Sequence, residues 1–123
     1  MSLNKLRNII DKRIKLLPNK QNIDVIINYY NYLIDKGIAV KSQLNSIQPV
    51  YYFANYLGNT NLIDVKERIQ ITSFLNTKIK NNDPDKKYIS TWNQYLAKLN
   101  SFIVGYIMLT VKVMNVIGSL LTL

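Results

Sequence analysis

Between Ile89 and Tyr106, apolar side chains recur every three or four residues: Ile89, Trp92, Tyr95, Leu96, Leu99, Phe102, Ile103 and Tyr106. That spacing follows one stripe of an α-helix and fits no β-strand. Asp83 is placed to cap the helix, and Pro84 sits at its first position, where a missing N–H costs nothing. At about 100° per residue, Lys87, Ser90, Thr91, Gln94, Lys98 and Ser101 gather on the opposite side. This face has cations and hydrogen-bonding groups but no acid, which suits a polyanion; an ordinary solvated face has the same look.

The rest of the chain repeats the pattern. Residues 3–17 read as a first helix with Leu3, Leu6, Ile9, Ile10, Ile14 and Leu17 on one side, ringed by Lys5, Arg7, Lys12, Arg13 and Lys15. Such a segment can lie on a membrane, fold on nucleic acid, or pack on the rest of the domain. It lacks the uninterrupted apolar core of a signal peptide. A second helix is expected over Gln21–Lys36, with Ile23, Ile26, Ile27, Tyr30, Leu33 and Ile34 inward and Gly37 as its stop. A third is expected from about Ser42 to Gly58, with Ile47, Val50, Phe53, Ala54 and Leu57 inward and Lys41, Asn45, Gln48 and Tyr52 outward. Pro49 removes a donor inside it and should kink it near Asn45–Gln48. After a loop at Asn59–Asp64 comes a fourth helix, about Val65–Lys80, with Ile71, Phe74, Leu75 and Ile79 as its stripe. No run alternates long enough for a strand, so the expectation is a compact, all-α bundle of four or five helices.

Composition narrows the function. Sixteen basic residues against seven acidic give a net charge of +9 over 123 residues, pointing to nucleic acid or an anionic membrane. Part of the lysine excess fits the codon bias of an A/T-rich genome, given the abundant Asn, Ile, Lys and Tyr. With no cysteine and no histidine there is no disulfide framework, thiolate nucleophile, Ser-His triad or ordinary zinc site. No cofactor signature is present, and the tyrosines lack surroundings that would activate a nucleophile.

The ordered set Tyr30-x-x-Leu33, Gly37, Ser42, Phe53-x-x-Tyr56-Leu57, Ile71-x-x-Phe74-Leu75 and Ser90-Thr91-Trp92-Asn93-x-Tyr95-Leu96-x-x-Leu99-x-x-Phe102 resembles one family. It looks like the N-terminal core-binding (SAM-like) domain of phage-type integrases, the tyrosine recombinases. Asp83-Pro84-Asp85-Lys86-Lys87 leading into Ile89-Ser90-Thr91-Trp92-Asn93 looks most like archaeal members. The resemblance covers residues 21–107, leaving 1–20 as a basic amphipathic helix and 108–123 as an apolar tail. It implies one half of a clamp around double-stranded DNA, serving integration and recombination, with a location in the cytoplasm on the nucleoid. It assigns DNA contact to Lys41, Ser42, Asn45 and Gln48 on one helix and to Lys86, Lys87, Ser90, Thr91, Gln94 and Lys98 on another. Lysines, hydroxyls and helix N-termini would anchor phosphates, and Gln and Asn could read base edges. Trp92, on the apolar side, is expected as a core anchor.

The chain departs from the family in two respects. The family's tyrosine nucleophile, arginines and histidine belong to a catalytic domain that this chain ends before, so no cutting or joining is expected of it, and no small-molecule substrate. Beyond Phe102, family members tend to continue with an Arg-Trp-Leu-Tyr-Asn-like segment. Val104-Gly105-Tyr106-Ile107-Met108 is what such codons give one base out of frame, which implies a frame change near residue 103 and a truncated product. The apolar stretch 103–123 is near the minimum for a membrane span, but Lys112 opposes that reading. A helix packed on the bundle, or on a second copy of it, suits the tail better. The alternatives from other classes are a small membrane-associated protein using the basic helix and the tail, and a helical protein-interaction domain.

Overall fold

The computed structural model describes residues 2–65, 68–77 and 88–110, and among these every regular element is helical. Helix α1 (Ser2–Asn8) continues as a π-helical turn, Ile9–Arg13, and a 3-10 turn, Ile14–Leu16. Leu6, Ile9, Ile14 and Leu17 are buried. The five-residue step from Ile9 to Ile14 would leave an α-helical stripe, and the wider π turn returns Ile14 to the core. Leu3, expected inside, is exposed, and Ile10 is half-buried.

Helix α2 (Lys20–Asp35) is capped by Asn19, whose Oδ1 accepts from the Gln21 N–H at 2.9 Å. Its far end closes on Gly37 at φ 74°, with the N–H groups of Gly37 and Ile38 bonding the carbonyls of Ile34 and Leu33. These two bonds form a Schellman motif, which needs a left-handed residue at Gly37. The buried face of α2 is Asn22, Ile26, Tyr29 and Leu33, rotated from the expected one. Tyr30 and Ile23 are half-buried, and Ile34 is exposed. The rotation follows from Asn22, a polar residue that the apolar pattern passes over. Its Nδ2 donates to Thr60 O at 3.0 Å and its Oδ1 accepts from Leu62 N at 2.8 Å. Leu62, in a 3-10 turn (Leu62–Asp64) within the expected loop, is fully buried.

Helix α3 (Val40–Leu57) buries Ile47, Val50, Phe53 and Ala54, together with Gln43, Leu44, Ser46 and Pro49. It runs unbroken through Pro49, where one backbone donor is missing and the ring is buried. Gln43 is satisfied locally: its Nε2 donates to Ile38 O at 2.7 Å. Helix α4 (Arg68–Asn76) contributes Ile71, Phe74 and Leu75, and the Phe74 ring meets Phe53 and Tyr56 of α3. Ile79, Asp83 and Pro84 lie outside the described residues.

Helix α5 (Tyr88–Phe102) passes into a π-helical turn, Ile103–Met108. Burial deepens along it. Ile89 is 46% exposed, Trp92, Tyr95 and Leu96 are half-buried at the core's edge, and Leu99, Phe102, Ile103 and Ile107 are buried. Ile103, Tyr106 and Ile107, in the stretch expected to depart from the family pattern, thus pack into or against the same core, while Val104 and Met108 are exposed. Tyr106 packs on Tyr29, Tyr32 and Phe102.

Helices α3 and α5 lie side by side and run in opposite senses. In the first half of α3, Ser46 lies beside the Tyr29 phenol, whose ring is 4.8 Å from Phe102 late in α5. Six residues on, Tyr52 stacks on Tyr95 in the middle of α5.

Candidate nucleic-acid interface

The α3 residues singled out in the sequence occupy its outer ridge. Lys41, Ser42 and Asn45 are exposed, and Gln48 is half-buried. Ser42 lies inside the helix, since α3 begins at Val40 with Ala39 in the capping position. Gln48 Nε2 donates to Tyr52 Oη at 3.4 Å, so the ridge continues into Tyr52. On α5, Ser90, Thr91 and Gln94 are exposed and Lys98 is half-buried, with Gln94 Nε2 donating to Ser90 Oγ at 3.4 Å. Lys86 and Lys87 lie outside the described residues.

The two sets are joined through one aromatic contact. Tyr52 and Tyr95 stack with centroids 6.4 Å apart and planes 18° apart. Thr91, Tyr95 and Lys98 share one flank of α5 on a helical projection, and that flank is the one turned to Tyr52. Because the helices run oppositely, Gln48 falls level with Lys98, and these are the two half-buried members. Lys41 and Ser42 fall toward the Phe102 end, and Ser90 and Thr91 toward the Leu57 end. The structure therefore spreads the residues along one surface and does not gather them at a point.

Electrostatically, neither α3 nor α5 contains an aspartate or glutamate, so the faces they present carry no acid of their own. Burial first, and then the neighbouring Tyr52, raises the Tyr95 phenol above its ordinary value, so it presents a neutral hydroxyl. Among the described residues no group of acids could hold a metal ion.

Much of the positive charge lies elsewhere. Residues 2–20 hold Lys5, Arg7, Lys12, Arg13, Lys15 and Lys20 against Asp11 alone, +5 of the total +9. Arg13 reaches this surface: its guanidinium carbon is 5.7 Å from the centre of the Tyr51 ring. No periodicity in the sequence pairs Arg13 with Tyr51, because the contact joins separate helices across the π turn. Comparison with family models, with curated proteins and with solved structures returned no match.

Proposed function

We propose that this chain is a duplex-DNA-binding helical module of the tyrosine-recombinase core-binding type, gripping one side of the DNA without cutting it. The observation that carries this reading is a pair of acid-free helices, α3 and α5, in contact at the Tyr52–Tyr95 stack, with Lys41, Ser42, Asn45, Gln48, Ser90, Thr91, Gln94 and Lys98 spread along them. Phosphates are held by lysines and hydroxyls, while Asn45, Gln48 and Gln94 meet base edges. Lys86 and Lys87, which precede α5 in the sequence, are proposed as further phosphate contacts. The partner is double-stranded DNA in the cytoplasm, on the nucleoid, and strand cleavage is left to other residues than these. Among the described residues no helix is long and apolar enough to cross a membrane.

A salt titration of duplex binding tests the reading. Each phosphate contact contributes about −0.9 to the slope of log K against log salt. The double variant Lys41→Gln/Lys98→Gln should therefore flatten the slope by about 2. Absence of salt-dependent duplex binding in the wild type, or an unchanged slope in the variant, overturns it.

A further inference from the structure

The six basic residues at the start of the chain have no part in the surface described so far, yet one of them is held against it. The Arg13 guanidinium lies over Tyr51, the Tyr51 ring is 5.3 Å from Tyr52, and Tyr52 stacks on Tyr95. One line of side chains thus crosses from the π turn after α1, over α3, to α5. On a projection of α3, Tyr51 and Tyr52 stand about 100° apart, with Lys41, Gln48 and Asn55 between them and Asn45 and Ser42 beyond Tyr52. Arg13 therefore meets the outer face of α3 at its Tyr51 edge, and Tyr95 meets it at Tyr52.

We propose that Arg13 is a phosphate-binding residue of the DNA surface, oriented by Tyr51, so that the π turn Ile9–Arg13 supplies a second wall to the duplex site. The proposal rests on the duplex-binding reading above and extends it to a third element. Its backbone is fixed, since Ile9 and Ile14 on either side are buried. A guanidinium stacked on an aromatic ring keeps its N–H edge available for a bidentate phosphate contact, and stacking restricts the rotamers that binding would otherwise have to order. The same segment does not suit a bilayer. A basic helix lying on a membrane inserts its apolar face, and here Leu6, Ile9, Ile14 and Leu17 are spent on the core, leaving Leu3 and Leu16 as its exposed apolar side chains.

The test compares three full-length variants by salt titration on a defined duplex, each checked for wild-type helicity and melting. Arg13→Gln should flatten the slope by about 1 and weaken binding about tenfold at 0.1 M salt. Tyr51→Leu, which leaves the net charge alone, should weaken binding about two- to fivefold. Lys36→Gln is the charge-matched control, because its ammonium lies over Tyr32 on the α2 side, 4.8 Å from the ring centre; it should leave the slope unchanged. If Arg13→Gln and Lys36→Gln behave alike while Lys41→Gln/Lys98→Gln still flattens the slope, the Arg13 wall is wrong and the duplex-binding reading stands. If the wild type binds no duplex, or binds vesicles of anionic lipid in preference to it, both fall.

Discussion

Asn22 Oδ1 accepts a 2.8 Å hydrogen bond from the backbone N–H of Leu62, 40 residues away, with both residues inside the core. This bond and the one from Asn22 to Thr60 fasten the start of α2 to the loop after α3. Asn19 adds to them from the surface, its Nδ2 donating to Asn59 O at 2.7 Å and to Asn61 Oδ1 at 2.6 Å. Two segments far apart in sequence are therefore registered by amide chemistry as well as by apolar packing.

Replacing Asn22 by leucine should destabilise the fold by about 1–3 kcal/mol, because it strands a buried N–H without a partner. Urea denaturation should show a lower midpoint with an unchanged m-value. Gln21→Ala, next door and exposed, serves as the control. Equal midpoints for the two variants would show that the Asn22 bonds add nothing.

The Tyr52–Tyr95 stack is open to a double-mutant cycle. Tyr52→Leu and Tyr95→Leu should couple by about 0.5–1.5 kcal/mol, the range for aromatic pairs. Strict additivity would mean that the rings are neighbours without interaction.

Two glycines should respond to alanine in opposite directions. Neither Gly37 nor Gly105 has a heavy atom within 4 Å of a built Cβ, so space is not the issue at either. At Gly37 the φ of 74° places alanine in the left-handed region, at a cost of about 1–2 kcal/mol. Gly105 lies in the π-helical turn without a positive φ, and there alanine should stabilise by about 0.4–1 kcal/mol. Paired thermal melts decide both.

High pH should loosen the bundle through its tyrosines. Tyr29, Tyr95 and Tyr106 are all raised above the ordinary 10.0, first by burial and then by a neighbouring phenol, Tyr32 for Tyr29 and Tyr106 and Tyr52 for Tyr95. A Ser46 hydrogen bond partly offsets the shift at Tyr29. The unfolded chain releases these protons first, so their contribution is complete below about pH 10 and is lost as pH rises through the folded values. Unfolding free energy measured from pH 8 to pH 11.5 should fall above about 10. The fall should be shallower in Tyr95→Phe. An identical pH profile in that variant would exclude Tyr95 as a contributor.

The parts of the fold governed by local chemistry were legible in the sequence: the extent of α2, the stop at Gly37, the inward face of α3 and the exposure of Lys41, Ser42, Asn45, Ser90, Thr91 and Gln94. Each follows from helix periodicity or from glycine's freedom at φ 74°. Features set by tertiary hydrogen bonds or by irregular turns were not legible. An apolar pattern skips Asn22, and so it misplaces the α2 face and puts Tyr30 where Tyr29 belongs. It takes Ile89 as core because the spacing is right, although burial sets in only farther along α5. It cannot pair Arg13 with Tyr51, a contact made across helices.

The opposite running of α3 and α5 gives the polar surface a length. Ser42 falls level with roughly residue 106, about sixteen residues beyond Ser90 on the neighbouring helix, or roughly 24 Å at about 1.5 Å per residue. A duplex turns once in about 34–36 Å, so two hydroxyls that far apart are separated by about seven base pairs. Over that distance the phosphate backbones have rotated most of the way round the axis. On the duplex-binding function proposed above, the two ends of this ridge would then meet different strands across a groove, and its reach would register groove width before any base is read.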